Sequence, residues 1–184
     1  MAALQWEIRR HQAAIAGRVV DAETGKAMSG ARVMATAGPL SWESRSGDDG
    51  HFHFLDLPDG VYVVTAGYPP GGSRYGSAQK NVVVSRDGTG RIQMATADLS
   101  LPATTVRGRI IRPGGQGVVM AEIVLEGSGE RTYSAADGHY ALVGVEAGLR
   151  RVRVRAQGFQ PAMREVTLAA AGAVATLNLT LTSV

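Results

Sequence analysis

A chain of 184 residues, 45% apolar and 19% charged, is long enough to bury one core or two small ones. A formal net charge of +3 is too small an excess to mark a nucleic-acid surface, and the absence of cysteine excludes disulfide staples, thiolate metal sites and thiol nucleophiles. Glycine is abundant, with 24 residues, and aromatics make up only 5%, the balance of a protein built from many short strands and turns.

Residues 1–14 read as an N-terminal arm. The opening residues carry Gln5, Glu7, Arg9 and Arg10 where a secretory leader would need an unbroken apolar run. Synthesis in the cytoplasm, with release as part of a particle, is the expectation. No stretch approaches the roughly 18 apolar residues of a membrane helix, so no membrane insertion is expected. Leu4, Trp6 and Ile8 alternate along the arm and are candidates to bury against a neighbouring protein.

From residue 15 the pattern changes to period 2, the mark of half-buried strands. Ile15-Ala16-Gly17-Arg18-Val19-Val20 opens the first unit, Asp21-Ala22-Glu23-Thr24-Gly25 turns the chain, and Ala31-Arg32-Val33 starts a second strand. The stretch 37–46, containing Trp42, reads as a loop. In His51-Phe52-His53-Phe54 the two rings share one face and the two imidazoles the other. Asp49-Gly50, Pro58-Asp59-Gly60 and Arg86-Asp87-Gly88 are turn signals in which glycine supplies positive φ. Residues 67–80, with Tyr68, Pro69, Pro70 and Tyr75, form a long Gly/Pro loop suited to binding.

After a short linker, Pro102-Ala103-Thr104-Thr105, the landmarks return in the same order. Val106-Arg107-Gly108-Arg109-Ile110 repeats the opening, Ala121-Glu122-Ile123 the second strand, and Asp137-Gly138-His139-Tyr140 the turn and core strand. Gly158-Phe159 answers Gly67-Tyr68, and Leu177-Asn178-Leu179-Thr180-Leu181 answers Ala97-Asp98-Leu99-Ser100-Leu101. An internal repeat decides the fold before anything else. The reading is all-β, two tandem antiparallel β-sandwiches of a seven-stranded type, over residues 15–101 and 106–184. The basic excess belongs to the second, where nine Arg face six acidic residues.

The order Gly17-x-Val19, Gly30-Ala31-x-Val33, Asp49-Gly50-His51-Phe52-x-Phe54, Leu57-Pro58-x-Gly60-x-Tyr62 and Gly67-Tyr68 resembles the carboxypeptidase regulatory-like domain. The second unit resembles it through Gly108-x-Ile110, Ala121-x-Ile123, Asp137-Gly138-His139-Tyr140 and Gly158-Phe159, with Arg150 in place of Tyr62 and Glu146 in place of Pro58. The resemblance implies a transthyretin-like sandwich used as an accessory module, without peptidase activity.

Candidate chemistry is thin. His51 and His53 have chelating spacing but no evident further ligands, and Asp48, Asp49, Asp56 and Asp59 lack the spaced loop of a calcium site. Gly72-Ser73-Arg74-Tyr75-Gly76 is one residue too long for a nucleophile elbow. No catalytic residue, metal or cofactor is assigned. The candidate partner-binding residues are Trp6, Trp42, Tyr68, Tyr75 and a guanidinium stripe of Arg151, Arg153 and Arg155, joined by Arg107 and Arg109. The expected function is a non-catalytic structural or adaptor protein contacting other subunits of an assembly, in its specific form a component of a phage-tail-like contractile injection particle. The alternative is a carbohydrate-binding accessory module of an extracellular system, with Trp42, Tyr68 and Tyr75 as stacking platforms.

Overall fold

The computed structural model describes residues 11–68 and 72–184; Leu4, Trp6 and Ile8 of the arm, and Pro69 and Pro70 of the long loop, lie outside the described residues. The chain is all-β. The first repeat supplies β1 (Ala13–Asp21), β2 (Arg32–Ala37), β3 (Leu40–Arg45), β4 (His51–Leu55), β5 (Gly60–Gly67), β6 (Ala78–Arg86), and the short β7 (Ile92–Gln93), β8 (Ala95–Thr96) and β9 (Leu99–Leu101). The second supplies β10 (Thr105–Ile111), β11 (Glu122–Leu125), β12 (Arg131–Tyr133), β13 (His139–Val143), β14 (Gly148–Arg155), β15 (Ala162–Leu168), β16 (Val174–Thr176) and β17 (Leu179–Thr180).

Each repeat makes two facing sheets. In the first, β3-β2-β5-β6-β7 faces β4-β1-β8 with β9 also on β1; in the second, β12-β11-β14-β15 faces β13-β10-β16 with β17 also on β10. Alternation sends Phe52 and Phe54 inward from β4 and Tyr140 and Leu142 inward from β13. The second core closes around Ile110, Ile123, Leu125, Val152, Val154 and Leu168, which average close to zero exposure. The antiparallel expectation holds except at closure, where β8 pairs parallel with β1, and β16 and β17 pair parallel with β10. The last segment of each repeat crosses over the sandwich and enters its sheet in the direction of the opening strand.

That closure explains two glycines. A Cβ on Gly17 would stand 2.2 Å from the Ala97 carbonyl oxygen, and one on Gly108 would stand 2.0 Å from that of Leu177. The closing strand passes directly over the missing side chain. Asp98 and Asn178 then reach back, each accepting a 2.9 Å hydrogen bond from the main-chain N–H of Arg18 or Arg109.

Two compact units emerge by contact. One comprises the described residues up to Val20, together with Lys26–Ala66 and Gln79–Ser100; the other comprises Asp21–Gly25, the described part of Gly67–Ala78, and Leu101–Val184. The linker expected at 102–105 is therefore internal to the second unit. Ala103, Thr104 and Thr105 are all buried, and Thr105 already belongs to β10. The threonine hydroxyls of this segment are satisfied inside: Thr104 Oγ1 donates to the Ser73 carbonyl at 2.6 Å and accepts from Gly172 N at 2.7 Å, and Thr105 Oγ1 donates to the Ala103 carbonyl at 3.0 Å.

Turn chemistry departs from expectation at one place. In Arg86-Asp87-Gly88-Thr89-Gly90 the positive φ falls on Gly90, at 81°, and not on Gly88. The Asp87 carboxylate accepts from the N–H groups of Thr89 and Arg91, which displaces the tight corner two residues onward.

Candidate functional site

The duplicated Asp-Gly-His turn, the first place to look for chemistry, is fully engaged in folding. Asp49 and Asp137 each accept a 3.0 Å bond from the N–H two residues ahead, that of His51 or His139. These bonds hold both carboxyls below the usual carboxylate range. Behind each turn a buried serine bridges main chain. Ser46 Oγ accepts from Ala31 N at 2.9 Å and donates to Met28 O at 2.6 Å; Ser134 Oγ repeats both with Ala121 N and Val118 O at the same distances.

The acidic residues near the first hairpin do not converge. Asp48 accepts from Ser29, Asp56 pairs with His11, and Asp59 pairs with Arg86. No group of three or more His, Asp or Glu among the described residues is arranged to hold a metal ion.

Trp42 is not in a loop. Gly38 and Pro39 form a two-residue turn with Gly38 at φ 57°, as in a type II′ hairpin, and residues 40–45 continue as β3. Trp42 lies opposite Ala35, a core-facing position, and its ring packs on Tyr62 with centroids 5.6 Å apart. It seals the edge of the first core. A sequence rich in Gly, Pro and Ser hid a short hairpin there. Because the indole is spent on Tyr62, Trp42→Ala is expected to lower stability by about 1–2 kcal/mol, read in a thermal melt, through lost packing at a half-buried site.

The loop after β5 is a strap on the second unit. Arg74 donates through Nε to Glu146 Oε1 at 2.9 Å and through Nη1 to the Gly144 carbonyl at 2.9 Å, and its Nη2 lies 2.6 Å from Glu130 Oε1. Ser73 Oγ donates to Glu146 Oε2 and accepts from Ala147 N at 2.9 Å, which removes it from any nucleophilic role. Gly76 N donates to Pro102 O, and Thr104 N donates to Arg74 O.

Both acids are held below their usual range, Glu130 by a Ser128 hydroxyl and then Arg74, Glu146 by the Ser73 hydroxyl and then Arg74. A carboxyl depressed on folding stabilises above its unfolded value, and that contribution is lost as pH falls through the folded value. The strap is therefore expected to hold at neutral pH and to loosen in acid below the usual glutamate range. Protection of the Gly76 and Thr104 amides, which donate to Pro102 O and Arg74 O, against exchange should fall there, and Arg74→Ala should lower it already at pH 7, with a loss of about 1 kcal/mol because the guanidinium is partly exposed.

Within the same unit Tyr68 and Tyr75 sit with ring centroids 6.0 Å apart, tilted by 47°. The Tyr75 hydroxyl bonds Asp21, and burial raises both phenols above their ordinary value. Burial pushes the Asp21 carboxyl up, but hydrogen bonds from Thr24 N, Glu23 N and the Tyr75 hydroxyl outweigh it and hold the group low.

Arg151, Arg153 and Arg155 all point to the outer face of β14, since Val152 and Val154 between them are in the core. They do not form a single-sign stripe. Arg151 pairs with Glu165 at 3.4 Å, Arg153 reaches Glu126 at 4.0 Å, and Arg155 lies opposite Glu122 in the ladder. Arg107 and Arg109 do not join them, because β10 belongs to the opposite sheet of the sandwich. Cross-strand neighbours decide the character of such a face, and a stripe read from one strand cannot show them.

The equivalent face of the first repeat is unlike it. Val61, Val63 and Thr65 of β5 stand where β14 carries Leu149, Arg151 and Arg153, with Val61 64% exposed and Val83 on neighbouring β6 62% exposed. This contrast between two like sheets was not legible before the strands were aligned.

Among curated proteins, none matches the sequence. Solved structures with a similar course include the TIE protein of Bacillus anthracis, at 15% identity and TM-score 0.47 over 92% of this chain and 34% of that one. Others are the minor pilin of Streptococcus agalactiae, at 12% and 0.40 over 96% and 97%, and the shaft pilin SpaA of Lactobacillus rhamnosus GG, at 9% and 0.39 over 92% and 97%. The chain thus spans about a third of the length of the TIE protein. The family model of the carboxypeptidase regulatory-like domain matches twice, over residues 14–98 and 105–182, which takes in nearly the whole sequence and both copies of the turn, the serine bridge and the closing strand. The chain belongs to the carboxypeptidase regulatory-like domain family.

Proposed function

We propose that this chain is a non-catalytic interaction module whose two sandwiches present different faces to other protein subunits. One observation carries the reading. The two repeats keep the same backbone devices, from the Asp-Gly turn to the serine bridge, yet equivalent sheet faces differ: neutral and β-branched around Val61, Val63 and Thr65, densely charged around Arg151, Arg153 and Arg155. Residues shared by both copies serve folding, so selection for binding has its room where the copies diverge. Family membership supports the same reading, since the matched model describes the regulatory-like domain and covers the chain twice. The narrower assignment, a subunit of a phage-tail-like contractile injection particle, finds no support in the family match or among the neighbours and is not carried forward.

The test is co-purification from the organism that makes the protein. The parent should be recovered with other protein subunits. Arg151→Gln with Arg155→Gln, or Val61→Glu with Val83→Glu, should lose at least one of them while melting within about 1 kcal/mol of the parent, because the altered side chains are exposed and glutamine sets no like charge opposite Glu165 or Glu122. Recovery of the parent as a free chain would refute the proposal.

A further inference from the structure

In the second repeat the chain between β10 and β11 and the turn that follows β14 enclose a groove of about 530 Å³. We propose that this groove binds an extended acidic segment of a partner protein, with an apolar side chain of that segment seated on Val119 and Met120 and a carboxylate on Arg112. None of the lining residues belongs to the sheet faces assigned above, so the two proposals stand or fall separately.

Three observations support it. First, the lining is apolar where the matching place in the first repeat is not. Val118, Val119 and Met120 stand where the first repeat has Met28, Ser29 and Gly30, and Ala156 and Phe159 complete the wall. The two turns are held alike, Gly30 N donating to Ser46 O at 2.8 Å and Met120 N to Ser134 O at 3.0 Å. Val118 is buried, as Met28 is, and serves the core; Val119 is 57% exposed and Met120 65%.

Second, Met120 has φ 57°, the left-handed conformation that Gly30 adopts at 72° without a Cβ. Folding alone is better served by glycine here. The second repeat instead accepts strain to hold a long, adaptable apolar side chain in solvent at the groove, and strain kept at an exposed residue points to binding.

Third, Arg112 is the one charged side chain in the lining. Its Nη2 donates to Gln116 Oε1, and it meets no carboxylate among the described residues, unlike Arg74, Arg151 and Arg153. A guanidinium with donors to spare at the rim selects a carboxylate. A nucleic acid would need a cluster of cations and finds only one over an apolar wall. A second copy of this chain does not supply the acid either: near its exposed Leu55 and Val61, Asp56 and Asp59 are already paired with His11 and Arg86.

The experiment is fluorescence anisotropy of end-labelled heptapeptides Asp-Asp-Asp-x-Asp-Asp-Asp, with x as Leu, Phe, Trp or Met, titrated with the full chain beside their lysine counterparts. Saturable binding of at least one acidic peptide is expected, and it should weaken as salt is raised. Met120→Gly should weaken it about tenfold while melting no lower than the parent, since Gly30 holds the same turn in the first repeat. Arg112→Gln should weaken it about threefold, as expected of an exposed ion pair, and Arg164→Gln, which removes an equal charge elsewhere in the repeat, should not. No binding of any acidic peptide at about 5 mM, equal binding of the lysine peptides, or binding unaffected by Met120→Gly would each overturn the proposal. So would self-association of the parent, seen by sedimentation without peptide and lost in Met120→Gly, because it would make a second copy the occupant.

Discussion

Gly138→Ala is expected to destabilise the second unit by about 3 kcal/mol or more, enough to unfold a large fraction of a marginally stable domain. Two costs coincide at this position. Gly138 has φ 86°, a region that side-chain-bearing residues enter only with strain, and a Cβ there would stand 2.2 Å from the Ile110 carbonyl oxygen. That oxygen cannot retreat, because Ile110 also donates its N–H to the Gly138 carbonyl at 2.8 Å. The turn and the opening strand are locked face to face, and a methyl group would force them apart. Gly50→Ala should behave alike in the first unit, where φ is 80° and the clash with the Val19 carbonyl is at 2.5 Å. Gly114→Ala separates the two terms: φ is 98° but nothing lies within 4 Å, so only the conformational cost of about 1 kcal/mol remains. Chemical denaturation of the three variants would measure the difference. Equal effects at Gly114 and Gly138 would show that backbone strain alone, and not close approach, sets the requirement for glycine.

The second large effect is expected at the buried serines. Ser134→Ala removes one acceptor and one donor at once, leaving the Ala121 N–H without its 2.9 Å partner and the Val118 carbonyl without its 2.6 Å partner. Ser134 is 2% exposed, so water cannot easily replace either bond. The cost of stranding such groups is about 2–3 kcal/mol in total, larger than the net value of the hydrogen bonds themselves. Ser46→Ala should cost a similar amount through Ala31 N and Met28 O. Denaturant midpoints test both. A change within 0.5 kcal/mol would mean that the main chain closes on itself without the hydroxyl.

These two effects also mark how far the sequence could be read. Gly50 and Gly138 occur at matching places in the two copies, so duplication itself marked them as turn residues; the alternation in His51-Phe52-His53-Phe54 named the core side of β4 without ambiguity, whereas the bridging role of Ser46 and Ser134 became visible only in the structure. Parallel closure by β8, β16 and β17 was hidden, because its signature is a bare glycine, Gly17 or Gly108, and the reason for that glycine is a carbonyl about 80 residues away in Gly17 and about 70 in Gly108. Trp42 was misplaced because the hairpin that carries it turns on Gly38-Pro39, a pair that reads as loop.

The surface was least legible. Arg151, Arg153 and Arg155 looked like a cationic stripe until pairing set Glu165, Glu126 and Glu122 beside them. The strap residues had no local signal at all, since Arg74 meets Glu130 and Glu146 only through the fold. Of the tyrosines, Tyr68 and Tyr75 were picked out by loop length and composition, and the structure sets their ring centroids 6.0 Å apart.

The claim that the divergent faces bind protein subunits is tested most directly by site-specific photo-crosslinking in the producing organism, with a photoreactive residue placed at Val61 or at Arg155 and, as reference, at Gly114 in an exposed turn. Covalent adducts to discrete protein subunits from positions 61 or 155, and none from 114, are the predicted result. Absence of adducts from both faces, with the protein folded and present, would contradict the account.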